Sequence, residues 1–138
     1  MAKVFIDTNI LVYAVDTYDR KKQRLCREAL QELESGNDGV ISTQVMQEFY
    51  VAATKKLNIE PAMAKKILHS LENFEIVIVD PALIKEAIDC SMIHQISFWD
   101  ALVIVCAESA KCEKIWTEDL NHDQIINGVR VDNILSSR

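Results

Sequence analysis

Short runs of apolar residues alternate along this chain with longer segments in which apolar side chains return every three to four positions. The runs Lys3 to Ile6, Gly39 to Ile41, Glu75 to Val79, Lys114 to Trp116 and Val129 to Val131 have the length of strands. The first four are nearly continuous in apolar character, as strands covered on both faces are. The periodic segments predict helices over Asn9 to Val15, Arg20 to Ser35, Gln44 to Leu57, Pro61 to Glu72, Ala82 to Gln95 and Asp100 to Ser109. Strand and helix in repetition predict an α/β fold, a three-layer α/β/α sandwich with a central parallel sheet. Ser35 to Gly39 reads as a tight loop after a helix rather than a linker, so residues 1–138 are expected to form a single domain.

Composition agrees with that pattern. A chain of 138 residues with 49% hydrophobic content, three Gly and two Pro can bury roughly two-thirds of its unfolded surface in one core. Its longest apolar stretch, Ala101 to Ala107, is far short of the roughly 20 residues a bilayer requires. The N-terminal segment has no basic stretch followed by an apolar run, so a cytoplasmic protein with no membrane partner is expected. Cys26, Cys90, Cys106 and Cys112 lie at no zinc-binding spacing, and Cys26, Cys90 and Cys106, within helical patterns, read as small hydrophobes.

The formal net charge of −6 argues against a nucleic-acid partner, because phosphate binding rests on Lys and Arg. Its distribution changes the picture. Residues 1–66 carry +1 and residues 67–138 carry −7. A phosphate-binding surface is therefore expected in the first half, densest at Arg20, Lys21, Lys22, Arg24 and Arg27, followed by Lys55-Lys56 and Lys65-Lys66. A solvated helix face, RNA or an acidic protein surface all account for such a run.

Four acids distant in sequence, Asp7, Glu48, Asp100 and Asp119, fall where a predicted strand ends or just inside the helix that follows. Open parallel sheets hold ligands beyond the carboxyl ends of their strands, so these carboxylates are expected to meet at one edge. Like charges gathered there call for a cation, and a hard divalent metal suits oxygen ligands. Each acid also has a structural reading. Asp7 fits a helix N-cap, as Asp80 before Pro81 does. Asp100 opens a helix that is apolar on every side, where the helix dipole favours an anion. Asp119 has Glu118 beside it as a second acid, with Glu118 expected at the surface and Asp123 one turn on. Glu48 is expected to face the core with Val45, Phe49 and Ala52, which makes a purely solvated role harder to sustain.

Taken together, Phe5-Ile-Asp-Thr-Asn-Ile-Leu-Val12, the Glu48 helix, Ser97-Phe-Trp-Asp-Ala-Leu-Val-Ile-Val105 and Ile115-Trp-Thr-Glu-Asp-Leu-Asn-His122 resemble, in order and spacing, the motif segments of PIN domains. The likeness is strongest to the VapC-like toxins of bacterial toxin–antitoxin pairs and covers about Val4 to Val131. It implies a ribonuclease that uses Mg²⁺ or Mn²⁺, one or two ions, to cut single-stranded or loop RNA, often tRNA. It also implies a homodimer and a cognate antitoxin. Asp7, Glu48, Asp100 and Asp119 match the family's acidic positions, Asn9 its polar residue supporting the first Asp, and Thr117 its small hydroxyl residue near the fourth acid. Asp123 and the tail Val131-Asp-Asn-Ile-Leu135 depart from the family pattern.

The implied chemistry suits the residues. Phosphodiester hydrolysis needs a nucleophilic water at neutral pH and compensation for charge developing on oxygen, and metal ions supply both. Asp7 and Asp100 are assigned to the principal ion, Glu48 as ligand or acceptor of the water's proton, and Asp119 to a water-mediated contact or a second ion. RNA contacts are assigned to Arg20, Lys21, Lys22 and Arg24. His69, His94 and His122 are dispersed, Ser97 has no glycine elbow, and no phosphate-cradling glycine loop exists. Trp99 and Trp116 flank two of the acids and are expected to pack in the core rather than to stack on a base. Two rival readings stay in view. A haloacid-dehalogenase-like phosphatase needs a second Asp two residues after the first, where this chain has Asn9. A noncatalytic interaction module would leave the acid set without a use.

Overall fold

The computed structural model describes residues 2–136. Six strands and six helices follow in the order β1 (Val4–Ile6), α1 (Thr8–Val15), α2 (Arg20–Gly36), β2 (Gly39–Ser42), α3 (Thr43–Lys55), α4 (Pro61–Leu71), β3 (Glu75–Val77), α5 (Pro81–His94), α6 (Phe98–Ser109), β4 (Lys114–Trp116), β5 (Ile125–Ile126) and β6 (Val129–Asp132). The sheet order is β3-β2-β1-β4-β6-β5. All neighbours pair in parallel except β5, which runs antiparallel to β6.

Every residue of the central strands β1 and β2 is buried. Because successive strand side chains point to opposite faces, burial of all of them means that helices cover both faces. The helix α6 packs against β2, β4 and β6, while α2 and α3 lean on β2. Residues Ala101 to Ala107 of α6 are buried without exception, as an all-round apolar helix must be. Gly39 opens β2 where a Cβ would stand 2.4 Å from a ring carbon of Phe74, so only glycine fits.

Three expectations are corrected. The first is β3, which ends at Val77 and is a half-exposed edge strand, not one covered on both faces. Beyond it the backbone N–H of Val79 donates to Thr43 Oγ1 at 3.1 Å instead of to a neighbouring strand. The second is the start of α6, which begins at Phe98 rather than Asp100 because the Ser97 hydroxyl accepts from Asp100 N–H at 3.1 Å and caps the helix. The third is the edge of the sheet. The two-residue strand β5 adds an antiparallel hairpin closed by Asn127 and Gly128, both at positive φ (52° and 80°), the geometry of a type I′ turn. Asp80 caps α5 through Leu83 N–H at 2.9 Å, as expected. All four cysteines are free and buried.

Candidate functional site

The backbone N–H of Asp7 donates to Trp116 O at 3.0 Å, extending the β1–β4 ladder one residue past the strand. This fixes Asp7 at the carboxyl edge of the sheet, where it also begins α1 in an extended N-cap conformation. Its carboxylate is 6% exposed, with Oδ1 accepting from Thr8 N–H at 2.7 Å and Oδ2 from Thr117 Oγ1 at 2.8 Å. The capping reading of Asp7 holds in this geometry.

Thr117 is fully buried and is the joint of the site. Its hydroxyl donates to Asp7 and accepts from Asp119 N–H at 3.1 Å and Asn9 Nδ2 at 3.4 Å, which uses its donor and both lone pairs. Asn9 also bonds the Asp119 carboxyl, so it supports the fourth acid directly and the first only through Thr117. Its own Oδ1 is buried with no partner among the described residues.

Glu48 does not face the core. Val45, Phe49 and Ala53 make that contact, and the intervening 100° turn per residue swings Glu48 outward into an open cavity. There Oε1 accepts from Thr8 Oγ1 at 2.9 Å and Gln44 Nε2 at 3.3 Å. The cavity, of about 540 Å³, is lined by Asp7, Glu48 and Asp119 with Asn9 between them. Asp100 is half-buried in the first turn of α6 and is not part of that lining, yet its charge reaches Asp119.

The electrostatics report the convergence. Burial first, then the charges of Asp119 and Glu48, push the Asp7 carboxyl up to about 6, against the bonds from Thr117 and Thr8 that favour its ionised form. Asp119 is also raised, by burial and by Asp100, Glu118 and Glu48, with the bond from Asn9 opposing. Among the described residues no three His, Cys, Asp or Glu side chains are already gathered around a cation-sized space. Asp7, Glu48 and Asp119 couple across the cavity while each takes hydroxyl or N–H donors. An all-oxygen donor set, mutual repulsion that raises two carboxyls, and an orphaned amide oxygen are together what a hard divalent cation satisfies. The residues fit such an ion.

Several contributors to the lining carry no site role assigned from the sequence. Val12, Tyr13 and Asp16 join Asn9 in the lining. They lie at i, i+3, i+4 and i+7 along α1, a periodicity that marks one helix face and is visible in the sequence. Lys56 also lines the cavity, two turns after Glu48. Glu118 is half-buried rather than a surface residue, because Tyr13 Oη donates to it at 2.7 Å. Lys22 is bound into the same cluster, with Nζ 3.3 Å from Tyr13 Oη and 4.6 Å from its ring centroid. Arg20, Lys21 and Arg24 stand exposed on α2, outside the cavity lining. Trp116 packs in the core, but Trp99 is 60% exposed, against expectation. Asp123 sits at φ 67°, with Oδ2 3.5 Å from His122 Nε2, away from the cavity.

Residues 4–127 match the family model of the PIN domain. Among curated proteins nothing matches. Among solved structures, a toxin–antitoxin complex from Klebsiella pneumoniae contains a chain of TM-score 0.69 and 20% identity, with 92% of this chain and 95% of that one covered. DNA-bound VapBC from Salmonella typhimurium gives a TM-score of 0.69 at 18% identity, with 96% and 98% covered. VapC20 of Mycobacterium tuberculosis, a toxin that cleaves the sarcin–ricin loop, gives 0.67 at 15% identity, with 85% and 92% covered. At these identities the likeness is one of fold.

Proposed function

The chain belongs to the PIN-domain family, and from that premise we propose that it is a divalent-metal-dependent endoribonuclease, the VapC-like toxin of a toxin–antitoxin pair. The observation that carries this reading is the Asp7–Thr117–Asn9–Asp119 network beside Glu48, with a buried carboxyl raised to about 6. Asp7, Glu48, Asp100 and Asp119 would hold Mg²⁺ or Mn²⁺, as one ion or two. When bound, the metal would supply a water acidic enough to ionise near neutral pH and would compensate charge on the phosphoryl oxygens.

The chain's own groups do the rest. Thr117 orients Asp7 and, with Asn9, fixes the loop that carries Asp119. Glu48, open to solvent, takes the proton of the attacking water at a carboxylate oxygen. Lys56 at the cavity wall meets the phosphate, and Arg20, Lys21, Lys22 and Arg24 extend a positive track along α2. Water is the nucleophile, so no bond to the enzyme forms. The phosphatase alternative loses support because Asp123 lies outside the cavity that holds Asp119.

An antitoxin partner is supported by neighbours that are themselves complexes. A homodimer is supported by Ile84, Ile88 and Met92, exposed at i, i+4 and i+8 on α5. Cytoplasmic residence is part of the same proposal, and among the described residues no single helix is long and apolar enough to cross a membrane.

The test is cleavage of single-stranded RNA by purified protein. Activity should need Mg²⁺ or Mn²⁺, stop with chelator, and vanish in Asp7→Asn and Asp100→Asn. Sequencing RNA ends after brief induction in cells identifies the target. Cleavage at the normal rate by either variant would remove the ligand assignment.

A further inference from the structure

Beside the acid cavity runs a second groove of about 560 Å³, joined to it through Glu48, Ala52 and Lys56, which line both. These three lie at i, i+4 and i+8 along and just past α3 and form the ridge between the two spaces. The far side of the groove is made by Val51, Lys55 and Trp99. Trp99 stands one residue before Asp100, and its ring packs edge-on against Phe98, with centroids 5.1 Å apart at 77°. Phe98 thus holds the indole while most of it remains open to solvent, 60% exposed in a fold that buries the other tryptophan. Gln44 closes the groove floor, 5% exposed, with its amide donating to Glu48 and its Oε1 without a partner among the described residues.

An anchored aromatic face and two lysines, continuous with a phosphate-cutting site, have the chemistry that single-stranded nucleic acid requires. We propose that this groove is a nucleobase subsite. The nucleotide beside the scissile phosphate stacks on Trp99, and Lys55 and Lys56 meet the flanking phosphates. The groove thereby contributes to the choice of bond. The proposal rests on the ribonuclease reading of the acid cavity, and an apolar segment of a protein partner is the competing occupant. Charge favours RNA, since among the described residues the ionised side chains lining the groove besides Glu48 are lysines.

The experiment titrates a short single-stranded RNA into the full chain in chelator, where no cutting occurs, and follows tryptophan emission. Trp116 is buried, so a change on binding reports Trp99. RNA should quench the emission in the wild type. Trp99→Ala, with unchanged melting, should weaken binding about 5- to 150-fold, the range expected when one base loses its stacking platform. Trp99→Phe should retain most of the affinity. Equal affinity of wild type and Trp99→Ala with no change in emission would overturn the proposal and leave the groove to a protein. A separate assay in Mg²⁺ keeps the two readings apart: quenching without cleavage would keep the subsite and remove the nuclease, while cleavage without quenching would do the reverse.

Discussion

Thr117 Oγ1 lies 2.8 Å from Asp7 Oδ2 in a fully buried contact between residues 110 positions apart in sequence. The bond joins the ends of two neighbouring strands, β1 and β4, and together with the Thr8 N–H on Oδ1 fixes the orientation of the Asp7 carboxylate. Thr117→Val keeps the shape and deletes the hydroxyl. It should cost about 1–3 kcal/mol of stability by leaving buried partners unpaired. It should also lower metal affinity about 10- to 100-fold, as removal of a residue that orients a ligand does. Urea unfolding and calorimetric titration with Mn²⁺ measure the two effects. Unchanged values for both would deny Thr117 its orienting role.

Asp7 makes the metal-free protein sensitive to pH in an unusual direction. Its folded-state value of about 6 lies above the ordinary 3.8, so the folded chain keeps this proton when the unfolded chain has lost it. The contribution is fully present below pH 3.8 and is lost as pH rises through 6. The loss amounts to about 3 kcal/mol, from the size of that shift. In chelator, Asp7→Asn should therefore be more stable than wild type at pH 8 by up to that amount and nearly equal to it at pH 4. Chemical denaturation at the two pH values checks this, and a variant less stable than wild type at pH 8 would contradict it.

A divalent ion should reverse that penalty. At about 100 times its Kd, Mg²⁺ or Mn²⁺ should add about 2.7 kcal/mol to the wild type. Asp7→Asn and Asp100→Asn should show little of this gain. Differential scanning calorimetry with and without the ion is sufficient, and equal gains in all three proteins would move the ion elsewhere.

Cations near the cavity should control RNA affinity in proportion to the phosphates they neutralise. Lys55→Ala with Lys56→Ala should flatten the dependence of log affinity on log salt by about 0.7 for each phosphate left without its lysine. Arg20→Ala with Lys21→Ala should do the same if the strand continues along α2. An unchanged slope in the α2 variant alone would confine RNA to the α3 side. Binding of an uncut strand in chelator at several salt concentrations separates these outcomes.

The layered sheet and its helices are legible in the sequence because strand and helix periods alternate cleanly, and residues such as Ala101 to Ala107 have no polar side on which to be exposed. Asp7 and Asp119 are legible for a related reason, since parallel strand ends converge, whereas Asn9 and Thr117 are marked only by the resemblance to PIN-domain motifs. Glu48 is harder to place because the stripe Val45–Phe49–Ala52 differs by only one position from the true Val45–Phe49–Ala53, and one residue on a helix is 100°. The strand β5 is too short at two residues to show a period, although its Asn127-Gly128 turn is the strongest short hairpin signal. Residue type alone points Trp99 to the core, and only the packing of α6 against its neighbours determines which of its first residues remain uncovered.

Burial of every thiol gives this chain an internal stopwatch. Desolvation holds Cys26, Cys106 and Cys112 at about 12, and raises Cys90 as well, so none offers an appreciable thiolate at neutral pH while the fold is closed. Alkylation of the thiols on α2, α6 and the loop before β4 then proceeds through opening events, and these sulfurs time the release of separate regions. Peroxide that would inactivate an enzyme with an accessible cysteine should pass this one by until the molecule itself comes apart.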